Sequence, residues 1–181
     1  SASAGVVFGD EGDWQVGALG QYIERAPDIL SLFARGPHHA TETFEVGDPT
    51  LNEEKAFSGE LRLTRNNGLF NFDASVFVSE FDGFIYKQLT GVECNDTFAS
   101  CGNTDPMEEE IDQVVFMQRD ATFWGAEISV DVPLIATGGD ELVLNLQGDF
   151  VRATLDGGGD VPNLLPWSLQ VFEKFSCVFF P

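Results

Sequence analysis

The chain has 181 residues, with 9 Lys+Arg against 30 Asp+Glu, a formal charge of −21 and a sequence pI near 4.1. That acid excess excludes a nucleic-acid binder, which needs a basic patch to neutralise phosphates, and a hydrophobic share of 43% with 17 Phe excludes a disordered acidic tail. No uninterrupted apolar stretch approaches the roughly 20 residues of a spanning helix, which leaves burial in a core or contact with lipid through strands.

The opening Ser1-Ala2-Ser3-Ala4 carries neither an initiator Met nor a signal-peptide pattern, so a processed protein or a piece of a longer one is expected. Trp14, Val16, Ala18 and Tyr22 then alternate with Gln15, Gly17 and Gln21, the period-two pattern of a strand with one apolar face. Glu24 to Lys55 reads as a long connection. Phe57, Gly59, Leu61 and Leu63 next alternate with Ser58, Glu60, Arg62 and Thr64, and Asn66-Asn67-Gly68 reads as a tight hairpin turn, since Asn and Gly tolerate positive φ. Phe70, Phe72, Ala74, Val76 and Val78 share one side of the following strand, opposite Asn71, Asp73 and Ser75. This strand is expected to run from Leu69 to Tyr86, well beyond the length usual in globular sheets.

Lys87 to Met117 is the second long connection. Within it Cys94 and Cys101 bracket a polar run, either as a small disulfide-closed loop in an oxidising compartment or as two free thiols. Thr122, Trp124, Ala126, Ile128, Val130 and Val132 alternate with Gly125, Glu127, Ser129 and Asp131; Pro133 to Asp140 is a short link; Leu142, Leu144, Leu146 and Phe150 form the next apolar face. Asp156 to Pro166 is the third long connection, and its Asp156-Gly157-Gly158-Gly159-Asp160 lacks the Lys-Ser/Thr of a phosphate loop and carries acids that repel phosphate. Cys177 is left without a partner in an apolar ending, Phe175 to Pro181.

Short turns and long connections thus alternate along the chain. The expected fold is all-β, an antiparallel up-and-down meander forming part of a transmembrane β-barrel with long extracellular loops. Apolar faces would meet outer-membrane lipid and polar faces the lumen, with Trp14, Tyr22, Phe84, Tyr86, Trp124 and Trp167 as interfacial aromatics. The competing reading is a secreted acidic β-sandwich that binds calcium or glycan through Asp-rich loops such as Asp105 to Asp112. Such a sandwich would purify without detergent.

Particular residues carry a family resemblance. Ile23-Glu24-Arg25-Ala26-Pro27, Leu32-Phe33-Ala34 and Gly47-Asp48-Pro49-Thr50-Leu51-Asn52-Glu53-Glu54 resemble the paired boxes of TonB-dependent outer-membrane receptors, with Glu24 in place of a leading Phe and Asp48-Pro49-Thr50-Leu51 in place of Asn-Pro-Asn-Leu. Asn71 to Phe77 with Phe81 to Tyr86, Gln118 to Glu127, Asp149 to Ala153 and Val161 to Pro166 resemble the strands that follow, in order, up to about Val171. The resemblance implies a partial receptor barrel over residues 1–181, without the plug domain and with the C-terminal strands missing, since such barrels have about 22 strands. It implies uptake of a metal or metal chelate (haem, zinc or a ferric siderophore) across the bacterial outer membrane, coupled to the TonB system through the plug.

His38 and His39 lie between the boxes, near Glu42 and Glu45. In haem receptors a histidine of this loop is an axial ligand and zinc receptors carry metal-collecting histidines, so these two are the candidate ligand and metal residues, against a reading as a solvated pair. No resident cofactor is expected. Enzymatic readings fail on the residues: the carboxylates are spread over alternate positions, no nucleophile elbow occurs, and the two histidines are adjacent.

Overall fold

Alternation of this kind can bury only one face of a strand, and the computed structural model, which describes residues 1–10, 13–66, 69–95, 101–102, 110–137 and 140–176, resolves it into a single sheet. The strands are β1 (Ala2–Gly9), β2 (Trp14–Arg25), β3 (Arg35–His38), β4 (Thr43–Val46), β5 (Glu54–Arg65), β6 (Asn71–Asn95), β7 (Glu110–Thr137), β8 (Asp140–Leu155) and β9 (Trp167–Ser176), with one short helix, α1 (Ile29–Phe33). Strands β1, β2, β5, β6, β7, β8 and β9 pair successively and antiparallel, as the meander requires. No helix among the described residues is long and apolar enough to cross a membrane.

One row of paired residues shows the division of faces. Val6, Ala18, Leu61, Val76, Ala126, Phe150 and Trp167 lie abreast across seven strands, and paired side chains share a face. The adjacent row, Arg62, Ser75, Glu127, Asp149 and Ser168, points the other way. Leu61, Val76 and Trp167 are 57%, 53% and 66% exposed, so the apolar row is open rather than sealed under a second layer. The described strands therefore lack the stacked sheets of a sandwich. On the polar face Arg62 grips Asp73 through Nε and Nη2, Ser168 donates to Asp149, and Asn145 donates to Asp131 at 2.5 Å.

Several details differ from the sequence reading. β1 lacks strong alternation and was not expected, and β3 and β4 lie inside what reads as a loop. β4 pairs in parallel with β7, Thr43–Val46 beside Asp112–Val115, an addition to the simple up-and-down meander. β6 and β7 continue through most of the Lys87 to Met117 stretch, and β7 continues through Pro133 to Thr137 with a register shift before Ile135, so most of the Pro133 to Asp140 link is strand. Residues 67–68, 103–109 and 177–181 lie outside the described residues, and with them the tip of the Asn66-Asn67-Gly68 turn, most of the Asp105 to Asp112 loop, Cys177 and the final Pro181.

Phe84 and Tyr86 are on the wrong face for interfacial aromatics. A bulge places Asp82 and Gly83 between the pairs Phe81↔Ala121 and Phe84↔Arg119, and the extra residue inverts the alternation beyond it. Tyr86, only 6% exposed, joins Ala121, Ala153, Leu155 and Val161 in an apolar cluster on the polar side of the sheet, flanked by Phe81, Phe84 and Phe123. Val161 arrives from the β8–β9 connection, its N–H donating to the Ala153 carbonyl. Trp14 and Tyr22, by contrast, stand on the open apolar face, about 27 Å apart along the strand, or about 20 Å in height at the tilt of barrel strands.

Gly83 makes the bulge possible: its φ is +74°, and a Cβ there would lie 2.6 Å from Gln118 Nε2. Gly83→Ala is expected to cost about 1–2 kcal/mol through its backbone alone. Hydrogen exchange at Phe84–Tyr86 should accelerate roughly tenfold or more in the folded protein; unchanged protection there would refute the role assigned to the bulge.

Candidate ligand-facing end

The strand ends joined by few residues, β1 to β2, β5 to β6 and β7 to β8, lie on one side of the sheet, the turn end; those of β2 and β5, β6 and β7, and β8 and β9 lie on the other, the loop end. Both boxes are at the loop end, and they work as pins. Pro27 cannot extend the β2 ladder, and Asp28 caps α1, its Oδ1 accepting from Ser31 N–H at 2.7 Å while the Ser31 hydroxyl donates back to the Asp28 carbonyl at 2.8 Å. The returning chain binds this turn: Gly47 N–H donates to the Ala34 carbonyl at 2.7 Å and Asp48 N–H to that of Ser31 at 2.9 Å. A Cβ at Gly47 would lie 2.6 Å from the Leu32 and Phe33 backbone.

The second box continues the pattern. Asp48 Oδ1 accepts from the Thr50 hydroxyl at 2.6 Å and its N–H at 2.8 Å, and these bonds hold the Asp48 carboxyl below its ordinary range. Their contribution is present at neutral pH and fades as pH falls through that lowered value. Gln118 of β7 donates to the carbonyls of Asn52 and Gly83 and accepts from the Asn52 N–H, tying box, bulge and sheet together. Glu54 is buried; it accepts from the Ile85 N–H at 2.9 Å and pairs with Arg25, its register partner, at 3.2 Å.

Between these pins the β3–β4 hairpin carries the candidate histidines. His38 Nδ1 lies 2.9 Å from Thr41 Oγ1, which meets Thr43 Oγ1 at 2.7 Å, and 3.8 Å from Glu45 Oε1. This engagement leaves Nε2 as the nitrogen for an external ligand. Glu45 itself is buried against Lys87 Nζ at 2.5 Å, and Lys87 in turn lies 5.3 Å from the Phe116 ring centre. His39 is exposed at the hairpin tip. The described residues contain no group of three or more His, Cys, Asp or Glu able to hold a metal by themselves, and Glu42 does not join His38 and Glu45 in one.

A cavity of about 750 Å³ is lined by Thr41, Thr43 and Lys87 with Gln88, Asn163 and Pro162, so hairpin, sheet and β8–β9 connection all border it. Leu89 and Val114 complete a lining that is mainly apolar, with the two threonine hydroxyls and the Gln88 and Asn163 amides as its polar groups, and the Lys87 ammonium there already holds Glu45. Further along, Cys94 and Cys101 are joined by a disulfide, Cys94 wholly buried, and Gly102 N–H donates to the Glu93 carbonyl. A hydrogen bond with Glu110 and that residue's charge raise the Glu93 carboxyl above its ordinary value. The contacts of Lys87, Gln118 and Glu54 are not legible in the sequence because their partners are remote, and Glu45 is visible there only as an acid near the histidines.

Residues 1–176 match the family model described as TonB dependent receptor-like, beta-barrel. The chain belongs to that family. TonB-dependent receptor barrels are outer-membrane proteins of Gram-negative bacteria, which sets the location. Among solved structures, one described as "Copper transporter OprC" superposes with a TM-score of 0.58 at 19% identity, covering 91% of this chain and 23% of that one. The likeness is one of fold, and the chain spans less than a quarter of the structure it matches.

Replacing Lys87 with Met leaves the Glu45 carboxylate buried without its ammonium, at a cost of about 1–3 kcal/mol. Trypsin cleavage after Arg35 should accelerate as the hairpin leaves β7, whereas cleavage after Arg62 should not; equal rates in both proteins would show that the pair does not hold the hairpin.

Proposed function

We propose that this chain forms part of the wall of an outer-membrane receptor that takes up a small metal-containing ligand. Its open apolar face lies against lipid, and its polar face borders an aqueous lumen. The observation that carries the reading is the pair of adjacent rows, Leu61-Val76-Ala126 outward and Arg62-Ser75-Glu127 inward, on one uncovered sheet. In water an exposed apolar surface of this extent drives association; in a bilayer it is the ordinary exterior of a barrel. The loop end captures the ligand, and import is driven by the TonB system through a plug domain outside these residues.

The cargo in this reading is a metal or its chelate (haem, zinc or a ferric siderophore), and copper joins that range because the matched transporter is named for it. His38 offers one oriented imidazole and His39 one exposed imidazole, so the protein would supply a partial donor set that the cargo or other loops complete. No catalysis is assigned to the chain. A sandwich that binds calcium or glycan has no supporting observation, since it needs a second layer.

Two experiments test this. Val76→Arg should lower the yield of membrane-assembled receptor, at about 2–4 kcal/mol near the bilayer midplane, while Ser75→Arg should be far milder; equal tolerance at both positions would sink the lipid-facing assignment. Replacing His38 and His39 together with Ala should reduce capture of the cargo metal or chelate by at least tenfold with assembly intact, and full retention would remove both residues from the ligand site.

A further inference from the structure

The turn end holds a cation with an unusual environment. Arg65, the last residue of β5, is in register with Trp14 and Phe72 on the apolar face. Its guanidinium carbon lies 5.5 Å from the Trp14 ring centre and 5.1 Å from that of Phe70, and Trp14 meets Phe72 edge-on at 5.6 Å. Arg65 Nε is shielded from solvent and has no hydrogen-bond partner among the described residues. Arg25, Lys55, Arg62 and Lys87 each hold a carboxylate. In a chain of charge −21, Arg65 instead sits on aromatic rings with no acid beside it among the described ion pairs.

We propose that Arg65, in its cage of Trp14, Phe70 and Phe72, binds the headgroup phosphate of a glycerophospholipid in the periplasmic leaflet. The proposal rests on the lipid-facing reading of the apolar face. Short turns of such barrels face the periplasm, so the turn end stands at that leaflet's headgroups. Stacking on aromatic faces fixes the guanidinium plane, and its fork of N–H donors matches two phosphate oxygens where a carboxylate would otherwise sit. The exposed indole of Trp14 fits the same depth, where amphipathic rings settle between acyl chains and headgroups.

The test uses the receptor that contains this segment, purified from outer membranes, delipidated in detergent and titrated with phosphatidylglycerol while bound lipid is counted by native mass spectrometry. Arg65→Gln is expected to weaken the tightest phosphatidylglycerol site at least fivefold, and Arg65→Lys to weaken it less, because a point charge keeps the attraction and loses the fork. Diacylglycerol, which has no phosphate, should not fill the site, and inorganic phosphate alone should not displace the lipid. Equal phosphatidylglycerol affinity in the wild type and both variants would overturn the proposal, as would full occupancy by diacylglycerol; displacement by millimolar inorganic phosphate would overturn the lipid assignment. If Arg65→Gln does not assemble, Arg65→Lys against wild type decides alone. A spin label at position 76 separates the underlying reading: oxygen-accessible and shielded from aqueous nickel, it upholds the lipid face whatever Arg65 does, and the reverse accessibility refutes that face and the proposal together.

Discussion

Strand register is the constraint on which everything else here depends. Because side chains alternate, a pairing that puts Val76 beside Leu61 and Ala126 also puts Ser75 beside Arg62 and Glu127. A slip of one residue would carry Arg62 and Glu127 to the apolar side and strand the row of Leu61 and Val76 among carboxylates. Register of this kind is held by many pairs at once across β2, β5, β6, β7 and β8, so no single contact needs to be strong.

The same rule explains how the loop end changes character. One extra residue at Asp82-Gly83 inverts β6, so that Phe84 and Tyr86 turn inward and become a floor onto which Val161 and Leu164 fold. The strands then continue past the apolar band as a β6–β7 ribbon, whose free edge accepts β4. The boxes anchor the short chain segments on either side of that hairpin through Glu54, Gln118 and Asp28. A sheet built this way can hold the β3–β4 hairpin on a regular wall whatever the hairpin's own sequence, because the pins are backbone bonds and a few buried acceptors.

Charge is distributed to match. Arg62 pairs with Asp73, Arg25 with Glu54, Lys55 with Glu53 and Lys87 with Glu45, while Arg65 lies on aromatic rings. Lys87 has both a carboxylate and the Phe116 ring, whereas Arg65 is given ring faces alone among the described residues, and these attract its charge but leave Nε without an acceptor.

The sequence by itself determined the two-faced strands at 57–64, 70–78 and 122–132, the alternation of short and long connections, and the family, because period-two patterning and ordered motifs are local properties of the chain. It also marked His38 and His39 by position between the boxes. What only the tertiary structure decided is where the alternation reverses, that β4 adds to β7 in parallel, and which partners complete the pins: Gln118 reaches Asn52 across 66 residues and Lys87 reaches Glu45 across 42. A bulge changes side-chain direction through one glycine's φ without leaving a mark on hydrophobic period, and a pair so far apart in sequence becomes a contact only when strand register brings its two elements together.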